Sequence, residues 1–156
     1  MSRVVSAERV VDAPREAVFA YLADLEQHWQ LADRFIEVVS LERPAGGGPA
    51  VGGVVRMRGP LGLGRSARTC VVDAQAPARL SGTAEVGRLT RARVTWTLLP
   101  SGTGTVVRLE AIVERAGALD AMLLAAGGHA WLRRRFRALI EALEGITAPR
   151  VAAGQV

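Results

Sequence analysis

The sequence predicts an α+β fold: seven antiparallel strands curled around one long C-terminal helix, with two short helices after the first strand. Three observations predict it. One strand-like run opens the chain, six more follow closely between Ile36 and Glu114, and an amphipathic stretch closes it from Gly117 to Gly145. Short connections among the six imply hairpins, and hairpins join antiparallel neighbours. A sheet with one apolar face needs a cover, and only the terminal stretch is long enough to supply it.

Val4 to Val11 alternates loosely and reads as the first strand. Asp12-Ala13-Pro14 then starts a helix, because proline suits the first helical position and Glu16 suits the positive first turn. Val18, Leu22 and Leu25 recur at helical spacing, and this helix ends near Asp24. A second short helix is expected from Glu26 to Arg34, carrying Trp29. Strands follow at Ile36 to Glu42, Val54 to Arg58, Ser66 to Ala74, Leu80 to Val86, Thr90 to Leu99 and Thr105 to Glu114. Glycine- and proline-rich turns divide them. Val94, Trp96 and Leu98 share one strand face, as do Val107, Leu109, Ala111 and Val113 on the neighbour.

Helical residues are about 100° apart. On an unbroken helix, Met122, Ala125, His129, Leu132, Ile140 and Leu143 fall within about 40° of Phe136. Trp131 falls on the far side, where it would mark a contact surface and a possible homodimer, unless the helix is deformed. The deforming element is at hand. Gly127-Gly128 costs about 1 kcal/mol per glycine relative to alanine, and a glycine pair is a common site of bending.

A chain of 156 residues is one domain, expected over 1–147, with a disordered tail over 148–156. No run of 18 apolar residues appears, and the N-terminus lacks the apolar core of a signal peptide, so a cytoplasmic location is expected. The single cysteine, Cys70, reads as a small core or strand residue. All twenty basic residues are arginine and the net charge is +5. They are scattered, and the cluster at Arg133, Arg134, Arg135 and Arg137 reads as a solvated helix face, so no nucleic-acid partner is expected. His28 and His129 are the only histidines, and neither has a spaced set of carboxylates or cysteines. No metal and no cofactor is expected.

Several stretches resemble one family. Val11-Asp12-Ala13-Pro14-Arg15-Glu16-Ala17-Val18-Phe19, Leu22-Ala23-Asp24 and Trp29 resemble the opening of the START-like, polyketide cyclase/dehydrase (SRPBCC) superfamily. Ala78-Arg79-Leu80, Trp96-Thr97-Leu98-Leu99-Pro100 and Gly104-Thr105-Val106-Val107 resemble its middle strands. The resemblance runs from residue 3 to 145. It implies a helix-grip fold with a hydrophobic cavity between sheet and terminal helix, binding lipids, polyketides or other apolar molecules. It transfers no catalytic set.

The expected ligand-binding residues are Trp29, Met57, Trp96, Met122, His129 and Phe136. His129 is also the one catalytic candidate, as an acid or base; its alternative is a buried histidine satisfied by a strand group. Arg56 and Arg58 share a strand face and point either to solvent or to an anionic group on a ligand. Three functions fit: binding of a hydrophobic small molecule, a cyclase or dehydratase acting on a polyketide-like substrate, and a lipid or quinone chaperone. The last would touch a membrane through Leu61 and Leu63 of the Gly59–Gly64 loop.

Overall fold

Apolar residues at alternate positions decide which face of each strand turns inward. In the computed structural model, which describes residues 4–32, 36–58, 62 and 64–147, β1 (Val4–Val11) buries Val5, Ala7 and Val11. α1 (Arg15–Ala23) buries Val18 and Leu22. Pro14 stands one residue before α1 rather than inside it, and its carbonyl accepts from the N–H groups of Ala17 and Val18 at 3.1 and 3.2 Å. Asp24 ends α1 and caps α2 (Leu25–Gln30): its Oδ1 accepts from the N–H of Glu26 at 3.1 Å and of Ala50 at 3.2 Å. One carboxylate thus ties α2 to the β2–β3 connection. α2 stops at Gln30, short of the expected Arg34; the buried Leu31 and Ala32 leave the helix in a turn, and 33–35 lie outside the described residues.

The remaining strands are β2 (Ile36–Glu42), β3 (Gly52–Arg58), β4 (Gly64–Gln75), β5 (Arg79–Val86), β6 (Thr90–Ser101) and β7 (Gly104–Arg115). They form one seven-stranded sheet in the order β1-β7-β6-β5-β4-β3-β2, antiparallel throughout. β1 pairs with the edge of β7, so the first and last strands lie side by side.

The inward face is graded in size. Where Leu98 faces Val107 and Trp96 faces Leu109 across β6 and β7, large side chains meet Ile140 and Leu143 in the main core. Toward the other end, Val94 faces Ala111, Ala92 faces Val113, and Ala84 of β5 faces Ala92. The small residues leave space there. A second, smaller core joins Leu25 and Trp29 of α2 to Ala50, Val55 and Ala67.

The terminal helix crosses this face and is broken in the middle. α3 (Ala118–Leu123) leads through a wide turn, Leu124–Gly128, into α4 (His129–Thr147). Ala126 (φ −87°, ψ 20°) and Gly127 (φ 110°, ψ 2°) leave helical geometry. The positive φ favours glycine at 127, and a Cβ at 128 would stand 2.7 Å from the Leu123 carbonyl oxygen. Among the described residues no helix is long and apolar enough to cross a membrane. Leu61, Leu63 and the expected tail over 148–156 lie outside the described residues.

Candidate ligand-binding site

Two cavities occupy the space that the small residues leave. The larger, about 290 Å³, lies between the sheet and the broken helix. Val94, Ala92, Ala111 and Val113 line it from the sheet; Trp131, Leu132, Phe136 and Leu139 line it from α4. Its walls are nearly all apolar, and its size is close to the lower end of ligand pockets, about 300 Å³.

One end of this cavity is polar. Arg65 of β4 grips Asp120 of α3 with two parallel bonds, at 2.6 and 2.8 Å. Thr90 Oγ1 also donates to Asp120, and it accepts from the N–H of Gly117 at 3.0 Å. This network ties the first turn of α3 to the sheet, because a planar guanidinium holds a carboxylate in a fixed geometry. Strand register brings Arg58 to the same end; Arg135 also lines the cavity, its guanidinium 5.0 Å from the Trp131 ring centre.

The smaller cavity, about 160 Å³, lies under α2. His28 and Trp29 line it from the helix, Thr69 and Val71 from β4, Ser81 and Thr83 from β5, and Trp96 from β6. His28 packs edge-on against Trp96, with ring centres 5.3 Å apart and planes at 77°. Its Nδ1 lies 3.1 Å from the Leu22 carbonyl oxygen. That oxygen only accepts, so Nδ1 carries the proton and Nε2 is a bare acceptor. Burial holds the imidazole neutral, with its pKa pushed down from 6.5 to about 4, the Leu22 bond opposing in part.

The sequence matches a family model described as polyketide cyclase / dehydrase and lipid transport, over residues 2–145. The chain belongs to that family. Solved structures agree on the fold. A Thermus thermophilus protein, TTHA0849, is 24% identical with a TM-score of 0.66, the match covering 91% of this chain and 94% of that one. A START superfamily protein from Mycobacterium smegmatis is 17% identical at TM-score 0.69, covering 92% and 96%. DynU16, described as a putative protein in the dynemicin biosynthetic locus, is 20% identical at TM-score 0.57, covering 95% of this chain and 49% of that one. No curated protein of related sequence matches the chain. The helix-grip architecture expected from the residues is therefore that of the family, and it is compatible with holding a hydrophobic ligand or with cyclase-like chemistry.

Within this family member the expected site residues divide. Met57 and Phe136 line the larger cavity, and Trp29 and Trp96 the smaller. Met122 does not join them: it is 60% exposed. The break at Ala126 and Gly127 destroys the helical phase between α3 and α4, so Leu123, Leu124 and Asp120 face the cavity in its place. His129 is half-buried and lines neither cavity. It opens α4 on the side that leads to Ile140 and Leu143, about 10 Å along the axis from Phe136. Trp131, expected on a contact surface, is half-buried against the larger cavity instead.

Arg56 is exposed, while Arg58 reaches the cavity rim. Arg133, Arg134 and Arg137 are exposed, as a solvated face requires. Cys70 is exposed on β4.

Sequence reasoning missed His28, Arg65 and Thr69. The signals were present. Leu25, His28, Trp29 and Ala32 recur at helical spacing, placing His28 on the apolar face of α2. Arg65, Ala67, Thr69 and Val71 share one strand phase, which puts two polar groups among inward residues.

Proposed function

We propose that this chain binds an apolar small molecule in the cavity between the sheet and the broken terminal helix. The observation that carries the reading is the larger cavity itself: apolar walls beneath a helix whose Gly127-Gly128 break sits over it, with the Arg65–Asp120–Thr90 network at one end. Burial of a ligand's apolar surface supplies the affinity, at about 25 cal/mol per Å² before the costs of association. The polar end fixes orientation. Met57, Trp131 and Phe136 are the large side chains that the ligand would touch.

A neutral fluorescent amine, N-phenyl-1-naphthylamine, tests this. Titration into the wild-type protein should give saturable enhancement. Ala92→Phe, which pushes a ring into the cavity from β6, should weaken binding at least tenfold, and Leu99→Ser on the exposed face should leave it unchanged. Absence of saturable binding, or an unaffected Ala92→Phe variant, would contradict the reading.

A cyclase or dehydratase acting on a polyketide-like substrate is the second reading, favoured by one observation: a neutral imidazole, His28, on a cavity wall. Such chemistry needs a proton-transfer group within reach of the ligand. A group held near pKa 4 is a weak base at neutral pH, so binding is the better supported of the two. The chaperone reading has no support from the described residues, since Leu61 and Leu63 fall outside them.

A further inference from the structure

The two cavities adjoin: Ala32, Ile36, Ala84, Val94 and Leu139 line both. Their polar groups differ in kind. Arginines line the larger cavity, whereas among the described residues none lines the smaller one.

The smaller cavity holds unsatisfied hydrogen-bonding capacity instead. Trp96 is 2% exposed, and its Nε1 is buried with no partner among the described residues. The same holds for Thr69 Oγ1. Both residues line this cavity, beside His28, whose Nε2 is an acceptor with no donor among the described residues. Ser81, also on this wall, is engaged with Thr95 at 3.1 Å. Buried polar groups left without partners are costly, and native structures rarely keep two on the walls of one cavity without a reason.

We propose that the smaller cavity is a hydroxyl-recognising subsite, so that the ligand is an apolar ring system or chain whose inner end carries an uncharged hydroxyl. This rests on the reading that the larger cavity binds an apolar molecule. A hydroxyl both accepts and donates. It accepts from Trp96 Nε1–H and donates to His28 Nε2, with Thr69 Oγ1 able to serve either role. A carboxylate would meet no cation there and would leave Nε2 facing a negative charge. A carbonyl would satisfy Trp96 and leave His28 bare. The volume suits one ring, since a cavity of about 150 Å³ admits benzene.

The test compares naphthalene with 2-naphthol by calorimetric titration and follows the indole N–H signals by NMR. In the wild type, 2-naphthol should bind at least tenfold tighter and should move the Trp96 indole N–H downfield. Trp96→Phe keeps an aromatic ring and deletes the N–H. Thr69→Val is nearly isosteric, and serves if the first variant fails to fold. Loss of the preference to below threefold in either variant supports the subsite; a preference surviving in both overturns it. If naphthalene binds and 2-naphthol gains nothing in the wild type, the subsite is overturned and the apolar cavity stands. If neither molecule binds, the apolar-cavity reading fails and the subsite falls with it.

Discussion

His28 occupies a place where, among the described residues, a charged imidazole would have only the Leu22 carbonyl to stabilise it. Its neutrality therefore becomes a stability statement. Unfolded, the ring takes its proton near pH 6.5; folded, only near pH 4. Above about pH 6.5 neither state is protonated and stability is complete. Between those values the unfolded chain binds a proton that the folded chain refuses, so stability falls as pH falls, by on the order of 3 kcal/mol in total. Urea denaturation from pH 7.5 to 4 should show this decline, and His28→Gln should reduce its slope. Equal slopes would mean that the ring is solvated. Nothing local in Asp24-Leu25-Glu26-Gln27-His28 announces this burial. Only the helical phase with Leu25 and Trp29 hints at it, and the phase does not say what α2 packs against.

At the scale of elements, the order of strands and helices was legible because period-two and 3.6-residue patterns are local. The face that α4 turns to the cavity was not. Gly128, Trp131, Leu132, Arg135, Phe136 and Leu139 line it at helical spacing, a stripe centred about 70° round from Phe136. The apolar stripe read from the sequence is instead the one that leads to Ile140 and Leu143 in the filled core. α4 thus has two inward faces, and hydrophobicity alone does not separate them, because one carries Arg135 and Trp131. Met122 was misplaced by carrying one helical phase through Ala126 and Gly127; His129 lies beyond the break, in phase with Phe136, and was misplaced because that stripe leads to the filled core. The glycines give a test at this scale. Gly127→Ala, at φ 110°, should cost about 1 to 3 kcal/mol. Gly128→Ala, which sets a Cβ 2.7 Å from the Leu123 carbonyl oxygen, should also lower the melting temperature. Gly145→Ala, in α4 with open space around it, should stabilise by about 0.5 to 1 kcal/mol. A neutral Gly127→Ala would argue for a continuous helix.

Across the whole molecule, the sheet sorts its inward residues by size along β5, β6 and β7. Large pairs seat α4 at the Leu98–Val107 end, and alanines open the other end. Sequence patterning showed that Val94, Trp96 and Leu98 face inward, hence that a sheet faces a helix. How completely the helix fills that face depends on the volumes of side chains brought together across strands, which no local pattern records. The most direct test of an apolar ligand site is its location. Isotope-filtered NMR of the protein bound to N-phenyl-1-naphthylamine should show contacts from the aromatic protons to the methyl groups of Val94, Val113 and Leu132. Contacts confined to exposed methyl groups such as those of Leu89, Leu99 and Ile146 would contradict it.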